Sequence, residues 1–154
     1  MAVKGQAAIK ARLDAAALAC SQHGSRLTTL RRAVLALILK AEGPVTAYQL
    51  LDQLKKKHKG AAPPTIYRAL DFLLDNELIH KVESLSAFIP CIDAGNHSLS
   101  VQFLICRRCG TVAELEESTV SEALDRAAAK QGFRPGSTIV EVQGLCAACS
   151  TQAS

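Results

Sequence analysis

The sequence predicts an α+β chain in two parts, a helical N-terminal half closed by a β-hairpin and a smaller α/β C-terminal half. Three observations predict it. Apolar residues at helical spacing, with capping and breaking signals between them, crowd into the first half. Two short extended runs follow the last of these helices. A Cys-x-x-Cys pair then occurs twice, at Cys106/Cys109 and Cys146/Cys149, each at the end of a strand-like run.

The chain has 154 residues, enough for one ordinary domain or two small ones. Its formal net charge of +4 permits nucleic-acid binding without making it a basic tail. No apolar run approaches membrane-spanning length, and residues 1–10 lack the apolar core of a signal peptide. A cytoplasmic location is expected, where thiols stay reduced and paired cysteines favour metal over disulfide.

Residues 6–22 read as an Ala-rich helix with Leu13, Ala16, Ala17 and Cys20 on one stripe, and Gly24 is suited to end it. Thr28 is an N-cap for a second helix to about residue 40, where Leu30, Val34, Leu37 and Ile38 face a core. Arg31 and Arg32 then fall in its first turn, which the helix dipole disfavours. A nearby anion would offset that, and a solvated face is the plain alternative. After Glu42-Gly43-Pro44, Thr46-Ala47-Tyr48-Gln49 matches a capping box and opens a third helix to about residue 57. The run Lys55-Lys56-Lys57-His58-Lys59 at its end is the densest positive cluster. It reads equally as a solvated helix end or as a phosphate-contacting patch.

Pro63-Pro64-Thr65 starts a fourth helix. Ile66, Ala69, Leu70, Leu73 and Leu74 form its apolar side; Arg68, Asp71 and Asp75 lie opposite, with Tyr67 on the boundary. Thr65, Tyr67 and Arg68 occupy the N-terminal turn, the part of a major-groove helix that meets base edges, and both aspartates lie further along. Residues 78–83 and 87–91 are extended runs separated by Ser84-Leu85-Ser86, a hairpin that completes a winged helix-turn-helix pattern over residues 1–91. Residues 92–97 read as a hinge, and residues 98–154 as the second domain.

In that second domain, residues 101–105 and 111–115 are strands on either side of the first cysteine pair. Ser118 is placed to cap a helix over residues 119–131, and residues 138–142 form a third strand leading to the second pair. The expected result is a small antiparallel sheet with one helix. Such a sheet leaves an edge and an apolar face open, which predicts a homodimer. Two Cys-x-x-Cys turns brought together supply four thiolates for a closed tetrahedral zinc site. The alternatives, two disulfides or buried free thiols, need an oxidising compartment or leave the paired spacing unexplained.

Taken together, Pro63-Pro64-Thr65-Ile66-Tyr67-Arg68-Ala69-Leu70-Asp71-Phe72-Leu73, His80-Lys81-Val82-Glu83-Ser84, the two Cys-x-x-Cys pairs and Gly144-Leu145-Cys146-Ala147-Ala148-Cys149 resemble the ferric-uptake-regulator (Fur) family of dimeric metal-dependent repressors. Within it the chain looks most like the zinc-uptake-regulator branch. The resemblance covers nearly the whole chain. It implies that the N-terminal half binds double-stranded operator DNA, with Tyr67 and Arg68 in the recognition helix, and that the C-terminal half dimerises. Thr65, Arg31 and Lys56 complete the expected DNA-contacting set.

A closed four-cysteine site suits structure rather than sensing, so regulation needs a second, exchangeable site. The candidates are His80 and Cys91 on the hairpin, His97 past the linker, and Glu114 after the first cysteine pair. Two imidazoles, a thiolate and a carboxylate are a borderline set that suits zinc. The resemblance carries these ligand types onto the same four positions, although His97 stands farther from Cys106 than the family pattern. Read singly, Cys91 is also a small buried hydrophobe, His80 a polar hairpin residue and Glu114 a solvated strand residue. Residues 98–105 contain no histidine, unlike the His-rich segment of many iron- and peroxide-sensing relatives.

The expectation is therefore a zinc-responsive repressor of zinc-uptake genes, with two zinc ions per chain and no small organic substrate. No phosphate-binding glycine loop or Ser/His/Asp signature points to an enzyme. The competing readings are a thiol- or peroxide-responsive regulator and a constitutive DNA-binding protein whose zinc is only structural.

Overall fold

The computed structural model describes residues 5–92 and 100–153. The chain divides into two compact units, Met1–Gly95 and Asn96–Ser154.

The first unit begins with α1 (Gln6–Gln22), which buries Ile9, Leu13, Ala16 and Cys20. Gly24 ends it at φ +72°, a left-handed conformation that a side chain would strain. That geometry lets the Ser25 N–H reach the Cys20 carbonyl at 2.9 Å. In α2 (Thr29–Lys40) the Thr28 hydroxyl accepts from the Arg31 N–H. Its buried residues are Val34, Leu35, Ile38 and Leu39, whereas Leu30 and Leu37 are only partly covered. The stripe is thus rotated from the expected one, because helices on two sides share α2 and draw Leu35 and Leu39 inward.

A two-residue strand β1 (Val45–Thr46) leads into α3 (Ala47–Lys55), which stops two residues before the expected end. Its capping box is complete: the Thr46 hydroxyl accepts from the Gln49 N–H at 3.2 Å, and the Gln49 amide oxygen accepts from the Thr46 N–H at 2.9 Å. Next, α4 (Pro63–Asp75) buries Ile66, Ala69, Leu70 and Leu73 and leaves Asp71 and Asp75 in solvent. The hairpin of β2 (Ile79–Val82) and β3 (Ala87–Pro90) turns through a 3₁₀ turn at Glu83–Leu85, with Ser86 left-handed at φ +47°. The sheet order is β1-β3-β2, all antiparallel. Leu50, Ile38, Val34 and Leu73 are fully enclosed between the helices. Of the four helices, α2, α3 and α4 with the small hairpin sheet make a winged helix-turn-helix arrangement.

The second unit contains β4 (Ser100–Cys106), β5 (Val112–Leu115), α5 (Ser118–Lys130), β6 (Thr138–Gly144) and a short α6 (Ala147–Ser150). The expected small antiparallel sheet with one helix needs correction. β5 does run antiparallel to β4, but β6 pairs with the other edge of β4 in parallel, in the order β5-β4-β6. α5 is the crossover that carries the chain round to that parallel partner. Its cap is Glu117, not Ser118: the Glu117 carboxylate accepts from the Thr119 N–H at 3.4 Å and the Thr119 hydroxyl at 2.8 Å. No residue of α5 is buried. Strand alternation puts Leu104, Leu115 and Val142 on one sheet face, all exposed.

Leu70 is 1% exposed within α4, so Leu70→Ala should cost about 2–5 kcal/mol of stability, read as a shift in the urea midpoint. Thr46→Ala removes one half of the capping box and should cost only about 1 kcal/mol.

Candidate metal centre and nucleic-acid interface

The four cysteines of the second unit converge. Cys106 is the last residue of β4, Cys109 closes the turn after it, Cys146 follows β6, and Cys149 lies in α6. Parallel pairing does this, because the register aligns Cys106 with Gly144 and leaves both strands ending at the same edge. The Arg107 N–H donates to the Gly144 carbonyl at 2.9 Å, extending the ladder one step into the turn. Within the first turn the Gly110 N–H returns to the Cys106 carbonyl at 3.0 Å. Gly110 makes that reversal at φ +74°, where any other residue would be strained. In the second, the N–H groups of Cys149 and Ser150 both donate to the Cys146 carbonyl.

All four sulfurs lie within 4.8 Å of one another, and those of Cys109 and Cys146 are 3.8 Å apart. Zinc–sulfur bonds of about 2.3 Å in a regular tetrahedron require sulfurs about 3.8 Å apart. None of the four is in a disulfide. Cys106 and Cys149 are buried, and Cys109 is exposed.

The thiols differ in how readily they ionise. Backbone N–H groups, first that of Cys109 and then that of Cys146, hold the Cys106 thiol down at about 6. The Thr111 hydroxyl, 3.1 Å from the Cys109 sulfur, is the main cause of a lowered value there. Cys149 goes the other way, pushed up to about 12 by sharing a proton with Cys146, by burial and by the neighbouring sulfurs. The first turn thus favours thiolates, whereas the crowded neighbouring sulfurs disfavour ionising Cys149, a balance that a bound cation would offset. Thiolate-rich, closed and tetrahedral, the donor set fits zinc. Sequence reasoning named the four cysteines that the fold brings together but missed Thr111 and Arg108, whose Nη1 donates to the Cys149 carbonyl at 2.9 Å.

The second candidate set draws its residues from both units of the chain. His80 lies on β2 opposite Ile89, and Cys91 directly follows β3, tied by its N–H to the Leu78 carbonyl at 3.1 Å. Alternation puts His80 and Cys91 diagonally on the same face of the hairpin. Cys91 is 1% exposed, and the Arg12 guanidinium donates to its carbonyl. Glu114 belongs to the second unit, on β5 opposite Phe103, and is half-buried. His97 lies outside the described residues.

The residues expected to meet DNA are all in the first unit. Tyr67 and Arg68 are exposed in the first turns of α4, and Tyr67 is 55% accessible. Lys56 is exposed at the end of α3, as are Lys55 and Lys57. Thr65 is engaged in the fold: its hydroxyl accepts from the Ala62 N–H at 3.2 Å and closes the start of the helix. Arg31 is also engaged, donating to the Arg26 carbonyl at 2.9 Å with its guanidinium 3.8 Å over the Phe72 ring. Arg32 has the anion that its place near a helix N-terminus calls for. It pairs with Asp14 of α1 at 2.6 Å and is the main cause of that carboxyl's lowered pKa. Tyr48 is 82% exposed in the first turn of α3.

Residues 22–143 match the ferric uptake regulator family. The chain belongs to that family. The matched span ends before Cys146 and Cys149, so the second half of the four-cysteine centre is read from this chain's own residues. Among relatives in the ferric uptake regulator family, the zinc uptake regulation protein of Escherichia coli (strain K12) is 42% identical over 132 residues, 84% of this chain and 76% of that protein. A solved zinc uptake regulator complexed with zinc and DNA is 39% identical, with a TM-score of 0.89 over 95% of this chain and 98% of its own. The crystal structure of holo XcZur is 45% identical, with a TM-score of 0.84 over 92% of this chain and 98% of its own.

Cys109→Ser should abolish tight metal retention at the four-cysteine centre and lower the thermal midpoint of the second unit. Metal counting by plasma emission spectrometry beside circular dichroism would check both. Retained metal with an unchanged midpoint would show that Cys109 is not a ligand.

Proposed function

We propose that this chain is a zinc-responsive transcriptional repressor. It binds operator DNA as a homodimer when a second, exchangeable zinc site is filled, and so silences zinc-uptake genes. The observation that carries this reading is the likeness, over 95% of the chain, to a zinc uptake regulator complexed with zinc and DNA. The fold of the first unit and the four-sulfur geometry of the second agree with it.

In this reading Cys106, Cys109, Cys146 and Cys149 hold one zinc permanently and complete the folding of the second unit. His80, Cys91, His97 and Glu114 hold the second. Their support is the ligand chemistry, the shared hairpin face of His80 and Cys91, and the family membership. The two ions have different tasks because their donors differ. Four thiolates bind too tightly and too closedly to report a changing concentration, whereas a mixed nitrogen, sulfur and oxygen set can exchange. To throw a two-state equilibrium decisively, the second ion must prefer the DNA-binding state by roughly 5 kcal/mol.

Tyr67 and Arg68 read bases from α4, Lys56 contacts phosphates, and Arg31 and Thr65 complete the contacting set. Dimerisation uses the apolar sheet face bearing Leu104, Leu115 and Val142, whose exposure in one chain is otherwise unfavourable. No helix among the described residues is long and apolar enough to cross a membrane. A chain that binds DNA works where the genome is, so the cytoplasm is its expected compartment.

The direct test is DNA binding titrated against buffered free zinc, with metal counting, for the parent chain and Cys91→Ser. The parent should bind its operator only as zinc rises. Cys91→Ser should lose one zinc per chain and the response while keeping its fold. Equal DNA affinity with and without zinc, at constant folding, would sink the switch and favour a constitutive binder. A response to peroxide at fixed zinc would favour the thiol-sensing alternative. For the interface, Arg68→Ala should cost roughly 1–3 kcal/mol at the specific site, and Lys56→Ala should weaken all sequences and lower the salt slope by about one.

A further inference from the structure

We propose that Arg108 is a positioning residue of the four-cysteine centre: its guanidinium fastens the second cysteine turn to the first and slows the escape of the metal. The inference rests on the reading that these cysteines hold zinc. Arg108 is one of the two unspecified positions of Cys106-Arg107-Arg108-Cys109, and nothing in the ligand chemistry requires an arginine there.

The hydrogen-bond pattern of the second turn explains its presence. The Cys146 carbonyl is satisfied locally by the N–H groups of Cys149 and Ser150. The Ala147 carbonyl accepts from the hydroxyls of Ser150 and Thr151, and that of Ala148 from Thr151. The Cys149 carbonyl, in the last turn of α6, receives its donor from the opposite turn: Nη1 of Arg108, at 2.9 Å and across 41 positions of sequence. Because the donor is a guanidinium, this is a charge-assisted hydrogen bond, stronger than one between neutral groups.

The consequence concerns metal release. For a four-coordinate ion to leave, sulfurs must let go in sequence, and the ion is recaptured if the freed sulfur stays near. The backbone tie from Arg107 to Gly144 holds the strand ends, but Cys149 lies beyond it on α6. Arg108 acts at that outer residue, keeping its sulfur close during partial dissociation. Its positive charge also offsets the excess negative charge of four thiolates around a divalent ion. Outer-shell partners of this kind typically change metal affinity about 10- to 100-fold.

The test uses full-length, zinc-loaded chain carrying Cys91→Ser, so that only the four-cysteine metal is counted. Zinc transfer to excess 4-(2-pyridylazo)resorcinol is followed for that chain and for its R108A and R108K versions. At equal starting zinc and equal circular dichroism, R108A should release zinc about tenfold faster or more, and R108K, which keeps the charge and a donor, should recover much of the difference. In the cobalt-loaded proteins the thiolate charge-transfer bands should be unchanged in R108A, because the four ligands are the same. Release by R108A within about twofold of the parent would overturn the proposal. So would R108K behaving like R108A. If R108A does not fold, R108Q takes its place in the same comparison, with faster release expected. A parent chain without zinc at these cysteines would overturn the underlying reading itself, an outcome separable from the others by the initial metal count.

Discussion

Parallel pairing between β4 and β6 is the constraint on which the second unit depends. Cys109 and Cys146 are 37 positions apart, yet their sulfurs stand 3.8 Å from each other. The register that sets Cys106 beside Gly144 makes this possible. A slip of one residue would turn every side chain of β6 to the other face and carry the second cysteine turn out of reach. The reverse dependence is as strong. Among the described residues of this unit few side chains are enclosed, Phe103 and Ile105 foremost, and α5 buries none. With so little apolar area to offset chain entropy, a cross-link through metal contributes to folding itself.

That division explains why one chain would carry two metal sites of different chemistry. A closed, sulfur-only centre whose loss would disorder its unit has no room to act as a gauge. On the proposed function, its place is to keep the strands, and with them Glu114 and the apolar sheet face, in a fixed arrangement. The gauge, on the same proposal, is built from donors that can exchange and that come from separate parts of the chain. His80 and Cys91, on one face of the hairpin that follows α4, are coupled through short connections to the helix bearing Tyr67 and Arg68. A metal held there, as proposed, would need only local structure to be felt where bases would be read.

Much of this was legible in the sequence because the first unit is held by local rules. Thr28, Thr46 and Pro63 mark helix starts by chemistry that acts within one turn, and Gly24 ends α1 for the same reason. The four cysteines were legible because Cys-x-x-Cys spacing is itself a turn geometry. What stayed hidden is non-local. A strand's own residues do not say which edge it will join, so the parallel placement of β6 against β4 was read as antiparallel. Thr111 and Arg108 are unremarkable in sequence, since their meaning lies in a sulfur and a carbonyl that folding brings to them. The cap of α5 was misread by one residue because Glu117 and Ser118 are both competent acceptors, and only the loop's path chooses between them. Leu35 and Leu39 were passed over because a helix packed on two sides buries more than one stripe.

On the proposed function the tightly held metal is bound by four sulfurs and is distinct from the metal that is sensed. Zinc K-edge absorption spectroscopy, on fully loaded protein and after a mild chelator has removed the exchangeable ion, tests this most directly. The loaded protein should show mixed sulfur and lighter-atom scattering. The stripped protein should retain four sulfurs at about 2.3 Å and no imidazole signature. Nitrogen or oxygen ligands persisting on the retained zinc would contradict the account.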